Sequence, residues 1–343
     1  MTKAVSKDLL GPTLIGGASR SGKTLLTLAL GDSPGPVAGF PLEAVFHVYF
    51  RRKFPYFEAQ KARIICEYLN RPRYVTGGRT EVKRPLDYMG LKPDMLTRNI
   101  PQSIEDPIAL IGWLLDQFST NMKRSSWAAF DLHPEFLYKS YRRSLPNLRL
   151  MIMERDPHSA IAAGLFWRTW PAPPPDRHQR FLLLLSLWHL SRMVSDSLIR
   201  EHPSSVARLS FDRLTKGDSS EHSKLCEFFL LPPNRLVNSF DFIPHFTFNP
   251  SLGFLGPDQT WKAVLSSSEM NEIDLLQKGK ITSPHLRSLL TMGARAPVLT
   301  RQLLEGYLYP AKTAQRKWNS LKQLTKDVRA GARLQFFGRP KSD

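Results

Sequence analysis

Short apolar runs alternate along this chain with stretches whose apolar residues fall three and four apart, a pattern that predicts strands followed by helices. Residues 13–15 read as the end of a strand, 16–22 as a small-residue loop and 23–30 as the first turns of a helix. Residues 31–36, with two glycines and two prolines, have turn chemistry. Residues 37–40 predict a second short strand, and 41–50 the start of a helix with Glu43 in its first turns. Leu110, Ile111, Leu114, Leu115 and Phe118 share one face of a helix over 108–121. Residues 127–131 form an apolar run ending in Asp131, read as a buried strand, and 134–144 read as a helix. Residues 148–153 predict a central strand, followed at once by Arg155, Asp156 and Pro157 and a helix through Arg168. A stiff Pro-rich loop over 170–175 leads to a longer helix over 179–200 and a strand over 206–211. Strands alternating with helices predict an α/β fold, a three-layer sandwich around a central parallel sheet, over residues 1–280. Residues 281–343 predict a basic helical C-terminal extension. Ligands of such sheets gather at the carboxyl ends of the strands, where the loop at 16–22, Asp131 and Arg155 would all lie.

Composition narrows the partners. The 343 residues are 42% hydrophobic and 10% aromatic, ample for a buried core in one large domain, with or without an appendage. With 48 basic and 30 acidic residues the net charge is +18, which suits an anionic ligand, nucleic acid or an anionic membrane surface. No zinc-finger spacing, RNP-like motif or aromatic–glycine repeat is present, so nucleic acid is not the expected partner. Residues 301–343 hold ten basic and three acidic residues, a net of +7. They predict either a solvated extension packed on the core or a surface for an anionic partner. Cys66 and Cys226 stand in unrelated contexts, so neither a disulfide framework nor a cysteine metal site follows, and a reducing cytoplasm is the expected compartment. Residues 1–10 show no signal-peptide pattern. The most apolar run, 181–190, is broken by Ser186 and His189; at about ten residues it is too short to span a bilayer and predicts a buried helix. No HExxH and no histidine pair four apart occurs, so no metal is expected.

The candidate chemistry centres on Gly17-Ala-Ser-Arg-Ser-Gly-Lys-Thr24, which satisfies the P-loop spacing G-x-x-x-x-G-K-[ST]. Glycines let successive backbone N–H groups turn inward on a phosphate, and the helix N-terminus adds a partial positive charge. Lys23 supplies a point charge; Thr24, Ser19 and Ser21 supply hydroxyls. Alone, this loop reads as a site for ATP or GTP.

Paired with residues 151–163, which carry Arg155-Asp-Pro157 at a strand end, the loop resembles the PAPS-dependent sulfotransferase family. In that family a strand–loop–helix close to [RK]-S-G-T-T holds the 5′-phosphosulfate of 3′-phosphoadenosine 5′-phosphosulfate (PAPS). A later strand ending in R-[DN]-P holds its 3′-phosphate. Phe130-Asp-Leu-His-Pro134 resembles the family's E-K-x-P or K-x-H segment, and residues 206–214 its V-x-x-[VL]-x-Y-E-D-L strand. Residues 225–231 resemble the helix that follows, and 261–273 the late W-x-x-x-L-s-x-E-E segment. The resemblance runs in order over about residues 10–275. Two positions depart from it. Lys23 stands where the family has Thr or Ser, so the loop is also a full nucleoside-triphosphate P-loop. Ala163 stands where the family's 3′-phosphate Ser would be, and Ser159, one helical turn earlier, is the available substitute.

The resemblance implies a P-loop enzyme moving a sulfuryl group from PAPS to a hydroxyl or amine of a small molecule. Gly17, Ser19, Arg20, Ser21, Gly22, Lys23 and Thr24 would cradle the 5′-phosphosulfate, with Arg20 and Lys23 stabilising the leaving phosphate. Arg155, helped by Ser159, would bind the 3′-phosphate, unless Arg155 pairs instead with Asp156 or Glu154. Glu43, 23 residues after Arg20, is the first choice as catalytic base, and His133 the second. Residues 51–126, basic and Pro-interrupted, would form a variable acceptor and lid region. One alternative is a small-molecule kinase using Lys23 and Thr24 on ATP–Mg²⁺ with Asp131 organising the metal. A second is a non-catalytic nucleotide-binding scaffold that uses the basic tail.

Overall fold

The structure is a computed structural model that describes residues 10–33, 35–43, 73–74, 82–83, 90–92, 99–101, 104, 106–166, 176–232 and 260–295. Strands β1 (Thr13–Gly16), β2 (Val37–Glu43), β5 (Ser126–Phe130), β6 (Arg149–Glu154) and β7 (Val206–Ser210) form one sheet in the order β2-β5-β1-β6-β7. Every pairing in it is parallel. Two short strands, β3 (Arg73–Tyr74) and β4 (Val82–Lys83), pair antiparallel on their own. The three-layer α/β fold read from the strand–helix alternation is therefore present.

The apolar alternation explains why β1 is central. Leu14 joins Ala38, Ala129, Leu150 and Ile152 on one face of the sheet. Ile15 joins Val37, Ala128, Met151 and Met153 on the other. A strand apolar on both faces is stable only with a layer on each side. The first face is covered by α2 (Pro107–Asn121) and α3 (Tyr138–Ser144). The second is covered by α1 (Lys23–Asp32), α6 (Phe211–Thr215) and α7 (Ser219–Phe229). A third cluster joins α4 (Pro157–Phe166), α5 (Arg177–Glu201), α8 (Ser267–Gln277) and α9 (Pro284–Arg295).

The predicted stripe of α2 is buried throughout: Leu110, Ile111, Leu114, Leu115 and Phe118 are at most 1% exposed. The apolar run at 181–190 lies inside α5. Among the described residues α5 alone is long and apolar enough to cross a membrane, and most of that window is buried within the protein. The start of the predicted extension packs on the core: Leu286 and Leu290, four apart on α9, enter the cluster built on α5. Residues 296–343, with most of the basic tail, lie outside the described residues, as do most of 51–105.

Three boundaries differ from the sequence expectation. Residues 41–43 continue β2 instead of opening a helix, so Glu43 ends a strand and pairs opposite Phe130 after an irregularity that follows Phe40. Pro41 is tolerated because β2 is an edge strand, where an N–H need not be donated. The helix read over 134–144 is a 3₁₀ turn (Pro134–Phe136) and then α3, separated by Leu137. The strand read over 206–211 stops at Ser210, whose hydroxyl accepts from Arg213 N and caps α6, so Phe211 opens a helix.

Helix α2 begins at a strong local signal. Asp106 Oδ1 accepts from the backbone N–H groups of Ile108 (2.7 Å) and Ala109 (2.8 Å), with Pro107 at the first helical position. Its Oδ2 accepts from Ser144 Oγ at 2.6 Å, fastening the end of α3 to the start of α2. Asp106→Ala is expected to lower stability by about 1–2 kcal/mol. A reduced urea midpoint at unchanged slope would show it, and Asp106→Asn should retain most of the midpoint.

Candidate functional site

The loop between β1 and α1 owes its shape to positions where side chains do not fit. Gly17 has φ +107, and a Cβ there would lie 2.1 Å from Met153 O on the neighbouring strand. Gly22 has φ +91, and a Cβ there would overlap the Phe211 ring at 2.2 Å. The loop thus lies flat on the end of β6 and on the start of α6. Two non-glycine residues of the region also have positive φ, Arg20 at 66° and His133 at 46°. Such conformations cost of order 1–3 kcal/mol and cluster at functional sites.

The peptide groups of Gly17 are held from both sides by buried charges. Its N–H donates to Glu135 Oε2 at 3.1 Å, and its carbonyl accepts from Lys23 Nζ at 2.6 Å. Lys23 also donates to Ala18 O at 3.3 Å. The P-loop lysine therefore lies across its own loop, 7% exposed. Glu135 Oε1 accepts from Ser191 Oγ on α5 (2.6 Å) and lies 3.0 Å from His133 Nδ1. Burial opposes ionisation of Glu135, but the His133 hydrogen bond, the charges of His133 when protonated and of Lys23, and the Ser191 hydroxyl hold its carboxyl well below the usual carboxylate range.

The second predicted phosphate segment reaches the first. Arg155 leaves the end of β6 and its Nη1 donates to Arg20 O at 3.1 Å. Its guanidinium lies 5.0 Å from the centre of the Phe211 ring, and its Nε is 3.9 Å from Asp212 Oδ1. Burial depresses the pKa of this arginine, and Asp212 and Asp156 work against that. The other acid beside it, Glu154, is engaged elsewhere, with Arg208 at 3.3 Å and Arg192 at 3.6 Å. Asp156 caps α4: its Oδ2 accepts from Ser159 N at 2.9 Å, and its own N–H donates to Asp212 Oδ2 at 2.7 Å. Ala163 is 2% exposed, packed in the interior of α4.

Of the residues singled out in the sequence, 17–24, Arg155 and His133 come together around the carboxyl ends of β1, β5 and β6. Ser19 and Thr24 are half-buried members of that loop and first turn, and Gly22 is the N-cap of α1. Glu43 ends β2, next to β5, and the description of its side chain lies outside the described residues. Asp131 is fully buried, its Oδ1 accepting from Leu132 N (2.9 Å) and its Oδ2 from Tyr141 OH (3.3 Å). Among the described residues no group of three metal-ligating side chains occurs.

Glu135, Ser191, Asp212 and Trp188, whose indole N–H donates to Arg155 O at 3.1 Å, were not singled out from sequence. Glu135 had one available signal, an acid two residues after His133 between Pro134 and Phe136. Asp212 had another, its place in the 206–214 segment where the resembled strand has an acid, whereas Trp188 and Ser191 come from a distant helix and carry no local signature.

No protein-family model matches this chain, and no curated protein matches it in sequence. Solved structures do. The sulfotransferase domain from the curacin biosynthetic pathway superposes with a TM-score of 0.50 at 15% identity, over 80% of this chain and 99% of that domain. The sulfotransferase domain from the Synechococcus PCC 7002 olefin synthase gives 0.48 at 14%, over 78% and 96%. Sulfotransferase STF9 from Mycobacterium avium gives 0.36 at 10%, over 80% and 78%. At 15% identity the first of these likenesses shows a shared fold.

Helix α4 also carries a titratable clamp on the C-terminal layer. His158 lies between Asp156 (Nδ1 to Oδ1, 3.5 Å) and Asp274 of α8 (Nε2 to Oδ1, 3.2 Å), with its ring 4.6 Å from that of Trp261 and tilted to it by 31°. The Asp156 hydrogen bond, followed by the Asp156 and Asp274 charges, raises its pKa despite partial burial. A raised imidazole stabilises fully below the ordinary value of about 6.5 and loses that contribution as pH climbs through the raised value. Amide exchange in α8 should therefore speed up over that interval more than global unfolding does. Asp274→Asn should flatten the dependence.

Proposed function

We propose that this chain transfers a sulfuryl group from PAPS to a hydroxyl or amine of a small molecule. The observation that carries the reading is the contact between Arg155 Nη1 and Arg20 O. It joins two segments 135 residues apart, each of which the sequence marks as a phosphate-binding element. The shared fold with a sulfotransferase domain supports the same reading.

The residues present fit such a donor. Ser21 Oγ is buried in the loop and has no hydrogen-bond partner among the described residues. Arg155, 8% exposed, is a desolvated guanidinium that gains from an anion. PAPS supplies, when bound, an activated sulfuryl group whose bond to the phosphate oxygen breaks as the acceptor atom bonds to sulfur. The loop N–H groups and the start of α1 favour negative charge at the 5′ end. Arg20 and Lys23 bring cations to that end, Arg155 holds the 3′ end, and Glu43 or His133 takes the acceptor's proton. Both oxygens of Asp131 already accept from protein donors, which counts against a metal-organising role and hence against the kinase alternative.

Adenosine 3′,5′-bisphosphate is expected to raise the unfolding temperature without magnesium. Arg155→Ala should weaken its binding by about 1.5–3 kcal/mol, roughly 10- to 150-fold. Stabilisation by ATP alone, abolished by a chelator, would overturn the reading. With an acceptor in hand, turnover should fall roughly 10²- to 10⁴-fold in either Glu43→Gln or His133→Ala. Full turnover in both variants would remove both residues as the base.

A further inference from the structure

The arrangement around His133 specifies more than a candidate base. Glu135 is buried, and its two oxygens accept from the Gly17 N–H and the Ser191 hydroxyl, the pattern of a carboxylate that only accepts hydrogen bonds. Its contact with His133 Nδ1 at 3.0 Å therefore requires the ring proton on Nδ1. Neutral His133 then has a bare lone pair on Nε2. That atom is buried and has no hydrogen-bond partner among the described residues. His133 is 1% exposed and held at a left-handed φ, with its ring 5.6 Å from that of Phe136.

We infer that Glu135 is a positioning residue that fixes the tautomer of His133, keeping Nδ1 protonated and Nε2 available to take the proton of the acceptor. The inference rests on the sulfuryl-transfer reading for the identity of the acceptor, but the tautomer itself does not. In the step it implies, one proton passes from the acceptor O–H or N–H to Nε2. The acceptor atom keeps the electron pair with which it bonds to sulfur. Nδ1 retains its proton and Glu135 stays ionised opposite the imidazolium. A buried carboxylate on one ring nitrogen dictates which nitrogen carries the proton and orients the ring.

The same carboxylate cannot be replaced by an amide without consequence. Glu135 accepts at both ends: Oε2 from Gly17 N–H, and Oε1 from Ser191 Oγ and His133 Nδ1. A glutamine offers one accepting end and one donating end. Placing its NH₂ against Gly17 would set two donors face to face, and the backbone amide has no alternative form. The NH₂ must therefore face His133 and Ser191. The serine hydroxyl rotates to accept, and the imidazole must move its proton to Nε2 to accept at Nδ1. Glu135→Gln is thus expected to invert the tautomer and protonate the atom that should act as base, while leaving the P-loop contact intact.

The test uses the full chain labelled with ¹⁵N-histidine, with the His133 signals assigned by their loss in His133→Asn. The expected wild-type spectrum of neutral His133 has a protonated Nδ1 and an unprotonated Nε2, and Glu135→Gln exchanges them. Ser191→Ala should keep the wild-type pattern, since Glu135 still accepts from Nδ1. Turnover in Glu135→Gln should fall roughly 10²- to 10⁴-fold with adenosine 3′,5′-bisphosphate binding retained. A wild-type His133 protonated on Nε2, or the same tautomer in both proteins, would overturn the assignment. If Glu135→Gln does not fold, the wild-type spectrum alone decides it. Failure of the sulfuryl-transfer reading would be seen separately, in the nucleotide titration.

Discussion

One ionised carboxylate with no exposed surface holds this site together. Burying a carboxylate costs several kcal/mol even after relaxation, and only well-placed donors and an opposite charge offset it. Glu135 receives those donors from the loop after β1, the turn after β5 and helix α5, and the opposite charge from Lys23 on α1. Breaking such a buried arrangement by removing one partner costs about 3–5 kcal/mol. None of the four elements can therefore shift alone. The P-loop, the candidate base and the central helix are fixed relative to one another by a group that is itself buried.

Topology explains why the other residues arrive at the same place. With β1 in the middle, β5 on one side and β6 on the other, the segments leaving all three strands emerge along one edge of the sheet. The P-loop follows β1, Asp131 and His133 follow β5, and Arg155 follows β6. Glu43 ends the next strand out. Burial then separates the arginines. Arg192 and Arg208 are paired with Glu154 or Asp196 at more exposed positions, whereas Arg155 lies under the loop and across an aromatic ring. Arg155 also has Asp212 3.9 Å from its Nε, so its pairing is made under the loop, away from water, whereas the other two arginines are paired nearer to solvent.

What was legible in the sequence is what local patterns carry. The P-loop spacing, the apolar stripe of α2 and the strand ending at Arg155 each lie within one element, where periodicity and turn chemistry decide the outcome. Residues 41–43 were read as helix because Pro at a first helical position followed by an acid is a common start; pairing with β5 outweighed it. Glu135 was not singled out, and nothing nearby in sequence reveals that Gly17 donates to it from 118 positions away. Trp188 and Ser191 were invisible for the same reason. Their meaning is a distance, and a distance between remote residues is not written in either neighbourhood. Lys23 was visible, but not its posture: the motif says which residue is present, not that its ammonium lies on the carbonyls of Gly17 and Ala18.

Helix α5 has a consequence for how this chain can change length. Trp188 and Ser191 stand three residues apart on it and serve different parts of the site, Arg155 O and Glu135 Oε1. Ser195, four residues on, turns back to Ser191 O, and Asp196 takes Arg208. Each added or lost residue rotates everything beyond it by about 100°. With the start of α5 held in place, a one-residue insertion early in the helix would thus swing the indole and the hydroxyl away from both partners at once. Length variation compatible with this site is confined to the connecting segments, and α5 sets a fixed phase to which the Arg155 backbone and Glu135 are tuned.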